Sequence, residues 1–199
     1  YRLLDAAVMF SFLFANLLLP MFSKMLKAKE SINNLMQFTF QLMMSVAISG
    51  VVAVYFFRTE IMDLLYVGAT DDWGNILGVL MWSFIAISAT HVFGTALLAN
   101  GNLRALNYLF LLGIFLNIVM NWYFIHNYGA YGAAMITCIT QIFVVLGEIY
   151  LAIRFFRLQL PKMWLKIILF GVSLFMVIHF GEQLLIFDWR ISFFIIFST

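Results

Sequence analysis

From Ala105 to Gly147 the chain runs without a single Asp, Glu, Lys or Arg, and comparable charge-free stretches cover Ala6–Ser23 and Ser31–Phe57. Runs of that length constrain the fold more than any motif does. Charged residues are 10% of the chain and hydrophobic ones 65%, against about 25% charged in soluble domains. A soluble globule could not cover so much apolar chain, so the solvent for these segments is lipid. A hydrocarbon core of ~30 Å is crossed by about 20 apolar residues in a helix. The runs are long and do not alternate, which favours helices over barrel strands. The expected fold is therefore an all-α integral membrane protein, a polytopic helix bundle. Six full spans are expected at about 6–25, 35–57, 76–98, 105–126, 131–155 and 164–180, with a truncated seventh at 189–198. Opening at Tyr1 and closing inside an apolar run, the chain is expected to be a piece of a longer protein.

The connections alternate in charge. Lys24, Lys27 and Lys29 lie in the first, Arg104 in the third, and Arg154, Arg157, Lys162 and Lys166 in the fifth. The second holds Glu60, Asp63, Asp71 and Asp72 beside Arg58, and the sixth holds Glu182, Asp188 and Arg190. Loops rich in Lys and Arg face the cytoplasm, so the first span is expected to run from outside to inside. Within the second connection, "EIMDLLYVGA" reads as a short helix on the outer surface. Pro20 removes a backbone hydrogen bond from the first span and is expected to kink it near its inner end. The net charge of +2 gives no reason to expect nucleic acid. Cys138 is the only cysteine and lies in an apolar run, as a small core residue would.

Polar residues recur on single helix faces. Gln37, Gln41, Ser45 and Ser49 step by four along the second span. Ser88, His91 and Thr95 mark the third, Gly113, Asn117 and Asn121 the fourth, and Thr137, Gln141 and Glu148 the fifth. Two readings compete. Such groups can tie helices together by hydrogen bonds, at about 0.6–2 kcal/mol each. Alternatively, they line a wet, mainly uncharged cavity for a polar cargo, with Arg2, Gln37, Gln41, His91, Asn117, Asn121 and Gln141 as its lining. His91 is either a satisfied structural residue or a proton-coupling group. Glu148 either reaches the interface or is a buried acid that couples to a cation. Arg2 either pairs locally with Asp5 or faces the bundle and holds a phosphate. No nucleophile–base set, zinc-ligand spacing or phosphate-cradling Gly loop is present, and the acids of the second connection lack the register of a calcium loop. Neither an enzyme nor a metal or cofactor site is expected.

The segment "LLANGNLRALNYLFLLGIFLNIVMNWYFIHNYGAYGAAMITCITQ" resembles the polysaccharide-exporting flippases of the multidrug/oligosaccharidyl-lipid/polysaccharide exporter superfamily. A small-residue–Gly turn with a basic residue behind it lies at Ala99 to Arg104. The Asn pair is Asn117 and Asn121, and a Tyr-Gly-x-x-Gly-Ala-Ala turn runs from Tyr128 to Ala134, with Gly129 and Gly132 as its structural glycines. "YRLLDAAVMFSFLFANLLLPMFSKM" is similar to the family's helix with a late Pro. The departure is His126 and Asn127, where the family often has Pro. The resemblance implies a two-lobe transporter of about fourteen helices, with this chain as most of the C-terminal lobe and the missing N-terminal lobe as its partner. It implies a bacterial or archaeal plasma membrane location. The implied cargo is a polyprenyl-diphosphate-linked oligosaccharide, flipped from inner to outer leaflet by alternating access among membrane lipids. The rivals are a cation-coupled multidrug exporter of the same superfamily, a polytopic membrane enzyme of glycan assembly, and a purely structural membrane subunit.

Overall fold

The computed structural model describes residues 2–66, 68, 71–158 and 167–176. Five helices carry most of it: α1 Arg2–Lys27, α2 Asn33–Phe56, α3 Arg58–Leu65, α4 Asp71–Ala99 and α5 Leu103–Phe156. A shorter apolar helix, α6, spans Ile167–Met176 inside the expected sixth span. The truncated span at 189–198, together with Lys162, Lys166, His179, Glu182, Asp188 and Arg190, lies outside the described residues. α1, α2, α4 and α5 are each long and apolar enough to cross a bilayer. The short helix expected in the second connection is α3, and it follows α2 directly through Phe57. Pro20 lies on the exposed side of α1, which stays helical past it to Lys27.

The two expected spans 105–126 and 131–155 form one helical element folded back on itself. Inside α5, Gly129 leaves helical geometry at φ 56, ψ −136. Antiparallel arms of residues 103–128 and 130–156 result. Contacts between them are spaced symmetrically about Gly129. Asn117 bonds Thr140, Gly113 lies against Val144, and Gly147 lies against Leu109. The glycines let the arms approach closely, as small residues do at helix interfaces in membranes.

Helix ends are closed by backbone geometry. After α1, Lys29 takes φ 58, and the amide of Glu30 donates to the Met25 carbonyl while that of Lys29 donates to Leu26. After α4, Gly101 takes φ 80, and the amides of Asn102 and Gly101 donate to Leu97 and Leu98. Each is a left-handed cap that satisfies the last carbonyls.

α4 is the hub, packing against α1, α2, α3 and α5. Its Ala86, Ala89, Gly94 and Ala96 leave room for neighbours, while Phe84, Val92, Phe93 and Leu97 fill the gaps. One buried cluster joins Phe22 of α1, Met36 and Phe40 of α2, Phe93 and Ala96 of α4, and Ala152 of α5. The other joins Leu4, Val51, Phe57, Ile61, Leu80 and Ala134. The Asn33 side-chain Nδ2 donates to the Phe156 carbonyl at 3.4 Å, so the Lys24–Lys29 connection and Arg154–Arg157 share one end of the bundle.

α1 is held to α4 by a buried contact between the Ser11 and Ser88 hydroxyls at 3.0 Å. Pairs of this kind average about 0.6 kcal/mol in membrane proteins and reach about 1.7. Ser11→Ala and Ser88→Ala should therefore each destabilise by about that much. A double-mutant cycle read by unfolding in detergent should return a coupling of the same size, and zero coupling would mean the contact contributes nothing.

Candidate functional site

Hollows open between the helices. One, about 730 Å³, is lined by Tyr55, Arg58, Asn75, Trp82, Tyr128 and Tyr131, at the end away from the lysines. Arg58 is held there: Nε donates to Asn75 Oδ1 at 3.2 Å, Nη1 donates to the Tyr55 carbonyl at 2.8 Å, and the guanidinium lies 5.0 Å from the Tyr55 ring centre. A second hollow, about 440 Å³, lies between α1, α3 and α4, with Arg2 and Tyr66 beside apolar Leu77 and Leu80. The third, about 420 Å³, lies where α4 meets both arms of α5, and Thr90, Gly113, Asn117, Thr140 and Gln141 contribute to its wall.

The third hollow places polar groups among apolar Phe110, Ile114, Ile118 and Val144. Asn117 stands twelve residues from Gly129, about 18 Å along the axis at about 1.5 Å per residue, near the middle of a ~30 Å core. A chain of amides runs along the hairpin. Asn121 Nδ2 donates to Asn117 Oδ1 at 2.9 Å, and Asn117 Nδ2 donates to Thr140 Oγ1 at 3.2 Å. Asn117 is thus a tie between the arms and also part of the hollow's wall. Gln141 lines the same hollow and makes no side-chain hydrogen bond among the described residues. The Thr90 hydroxyl is buried without a hydrogen-bond partner.

The other residues singled out from sequence lie elsewhere. Gln37 and Gln41 are half-buried on α2 and border none of these three hollows. Ser45 and Ser49 below them donate to the carbonyls of Gln41 and Ser45, each at 2.8 Å, and so are satisfied on their own helix. His91 faces α1, where its ring meets the edge of Phe12 at 6.1 Å, and its Nε2 is buried without a partner. Arg2 is exposed at the rim of the second hollow. Of the two readings for Arg2, the local pair with Asp5 does not form, and both side chains are exposed. Gly129 and Gly132 both serve the α5 turn. A Cβ on Gly132 would sit 2.5 Å from the Phe124 carbonyl oxygen.

Glu148 does not reach the interface as one sequence reading held. It is fully buried at 0% exposure, because the second arm turns it toward Gly94 of α4. Sequence reading also missed Thr90, Gly94 and Thr140. Thr137 was placed on the polar face, yet its hydroxyl donates to the Ala133 carbonyl of its own helix at 2.9 Å. The buried face instead runs through Thr140, Val144, Glu148 and Ala152, a four-residue step visible in the sequence.

Compared with models of known families, residues 5–198 match the one described as lipid II flippase MurJ. The chain belongs to the lipid II flippase MurJ family. The match covers nearly the whole chain, and of the candidate site residues only Arg2 lies outside it. This family is a member of the superfamily that the sequence resemblance named, though the match does not name the narrower polysaccharide-exporter branch. Membership makes the chain a multi-pass membrane transporter of lipid-linked substrates rather than an enzyme. Comparison with curated proteins and with solved structures gives no match.

Proposed function

We infer that the chain moves a polyprenyl-diphosphate-linked glycan of the lipid II type from the inner to the outer leaflet by alternating access. In this reading the chain is one lobe, and a facing lobe closes the translocation path. The Lys24–Lys29 connection, Arg104 and Arg154 face the cytoplasm, following the bias of basic residues toward that side. The supporting observation is the hollow in which Thr90, Asn117, Thr140 and Gln141 set amides and hydroxyls among apolar Phe110, Ile114, Ile118 and Val144, in a chain of this family. A diphosphate-linked sugar cannot cross hydrocarbon unaided, because its polar groups would lose water without replacement. Amides and hydroxyls at that depth supply the replacement, while the lipid tail stays in the bilayer. Arg2, at the rim of its own hollow, remains the basic group that would meet the diphosphate.

The test is the full-length protein reconstituted in liposomes, with lipid II or another polyprenyl-diphosphate oligosaccharide in the inner leaflet. Arrival outside is read with a membrane-impermeant reagent. Lipid II should cross at rates far above protein-free liposomes. Transfer of the other oligosaccharide alone would favour the polysaccharide branch, and transfer of neither would overturn the reading. Gln141→Leu separates cargo contact from helix tie. It removes no protein hydrogen bond among the described residues, so thermal stability should hold. Transport should fall about tenfold, the equivalent of one lost cargo hydrogen bond of about 1.4 kcal/mol.

A further inference from the structure

Glu148 is the one acidic side chain fully buried among the described residues. Both of its oxygens lack a hydrogen-bond partner. The Thr90 hydroxyl on the facing turn of α4 is close enough to influence the carboxyl, yet makes no hydrogen bond of normal geometry with it. Space for the carboxyl exists because residue 94 is glycine: a Cβ there would stand 2.7 Å from Glu148 Oε1. Val145, Ile149 and Ala152 of the same arm belong to one buried apolar cluster with Val92, Phe93 and Ala96 of α4. Glu148 lies eight residues before Phe156, about 12 Å inside the Lys/Arg-rich end at about 1.5 Å per residue.

Among the described residues, no neighbouring element brings a second charge to it. α2 has no Asp, Glu, Lys or Arg between Asn33 and Phe56, and α6 has none between Ile167 and Met176. Those of α1 lie at its ends: Arg2 and Asp5 at one, Lys24 and Lys27 at the other. The first arm of α5 has Arg104 and His126, both exposed near its ends, and the second has Arg154, also exposed. The tyrosines of both arms are exposed, and Cys138 is half-buried. On α4, His91 turns to Phe12 of α1. Burying a carboxylate away from water and counter-charge is costly unless a proton or a cation joins it.

We propose that Glu148 is the proton-carrying group of this transporter, holding a proton while packed on Gly94 and releasing it when α4 and the second arm of α5 part. The proposal rests on the flippase reading and deepens it by naming the coupling ion. The step is a simple acid–base exchange. One carboxyl oxygen takes a proton from water on the side to which the site opens, and the neutral acid then packs against Gly94. When the site opens to the other side, the O–H bond breaks and the proton passes to water there. A proton suits this setting because it needs only the carboxylate, whereas a sodium ion would need several oxygens, and among the described residues Thr90 is the polar side chain beside it.

The experiment uses the full-length protein in liposomes carrying an entrapped pH-sensitive dye, with lipid II as cargo. With one proton per cycle, a gradient of one pH unit should shift the steady-state distribution of cargo between leaflets about tenfold, and the dye should report proton movement with each turnover. Glu148→Gln keeps the shape and removes the proton. It should still equilibrate cargo, with the tenfold bias abolished. A sodium gradient at constant pH should have no effect. Independently of transport, the infrared carbonyl band of a protonated carboxylic acid should be present in the wild type and absent in Glu148→Gln. Flipping in the wild type without bias by the pH gradient would overturn the proposal and leave the flippase reading standing. So would bias that survives Glu148→Gln but vanishes in His91→Gln, or bias by sodium alone. Should Glu148→Gln fail to fold, the wild-type dye and infrared measurements still decide. Absence of flipping together with absence of the acid band would remove both readings, and absence of flipping with the band present would remove the coupling claim along with the cargo.

Discussion

Replacing Gly129 by valine should destabilise the α5 hairpin by about 1–3 kcal/mol, the range for residues forced into sparsely allowed backbone geometry. The reason is local. At φ 56, ψ −136 a side chain with a branched Cβ collides with its own backbone, and glycine alone adopts such angles freely. The cost propagates because everything between the arms depends on that turn. The Asn117–Thr140 bond, the Gly113–Val144 contact and the Gly147–Leu109 contact all need the arms in their present register. Gly132→Ala tests the same turn by a different route. Its new methyl would stand 2.5 Å from the Phe124 carbonyl oxygen, and backbone yields less readily than a side-chain tip, so a loss of about 1–3 kcal/mol is expected from overpacking. Unfolding in detergent, with the yield of monodisperse protein as a second readout, checks both. Wild-type stability in Gly129→Val would mean the hairpin does not depend on the glycine.

Phe93→Ala should be the most damaging of the simple truncations. Phe93 is fully buried in the last two turns of α4 and meets the Phe40 ring of α2 at 4.9 Å. In soluble cores Phe→Ala costs about 3–5 kcal/mol, part from lost transfer out of water and part from the cavity left behind. Helices inside a bilayer are already out of water, and lipid tails are as apolar as a protein core. The cavity part remains, so about 2 kcal/mol is expected. Trp122→Ala provides the contrast. Trp122 is 88% exposed, and its truncation should stay within about 0.5 kcal/mol of wild type. Equal losses at the two positions would show that the buried clusters do not hold the bundle.

The four apolar helices long enough to cross a bilayer, and the glycine turns, were legible in the amino-acid order because they rest on strong local physics. A charge-free run of twenty or more residues has nowhere to go but hydrocarbon, and every backbone group in it must bond within a helix. Gly129 and Gly101 stand where a chain of L-residues would otherwise strain, and both mark breaks in the structure. The Asn117–Asn121 pair reads as a polar face, and it is one. The partner was not legible: Thr140, not Thr137, receives Asn117.

What stayed hidden is the phase of each helix and the company each polar group keeps. In water, apolar residues mark the inward face. In lipid both faces are apolar, so Phe, Leu, Ile and Met carry almost no information about direction, and only polar residues do. Even these are ambiguous, since Ser45, Ser49 and Thr137 satisfy themselves on the preceding turn of their own helix. Packing of α4 against the second arm of α5 decided that Glu148 faces Gly94 and not the interface. The same packing gathered Thr90, Asn117 and Gln141 around one hollow while leaving Gln37, Gln41 and His91 on other faces. Composition and turn chemistry are properties of short segments and can be read along the chain, whereas rotation of one helix against another depends on side chains far apart in it.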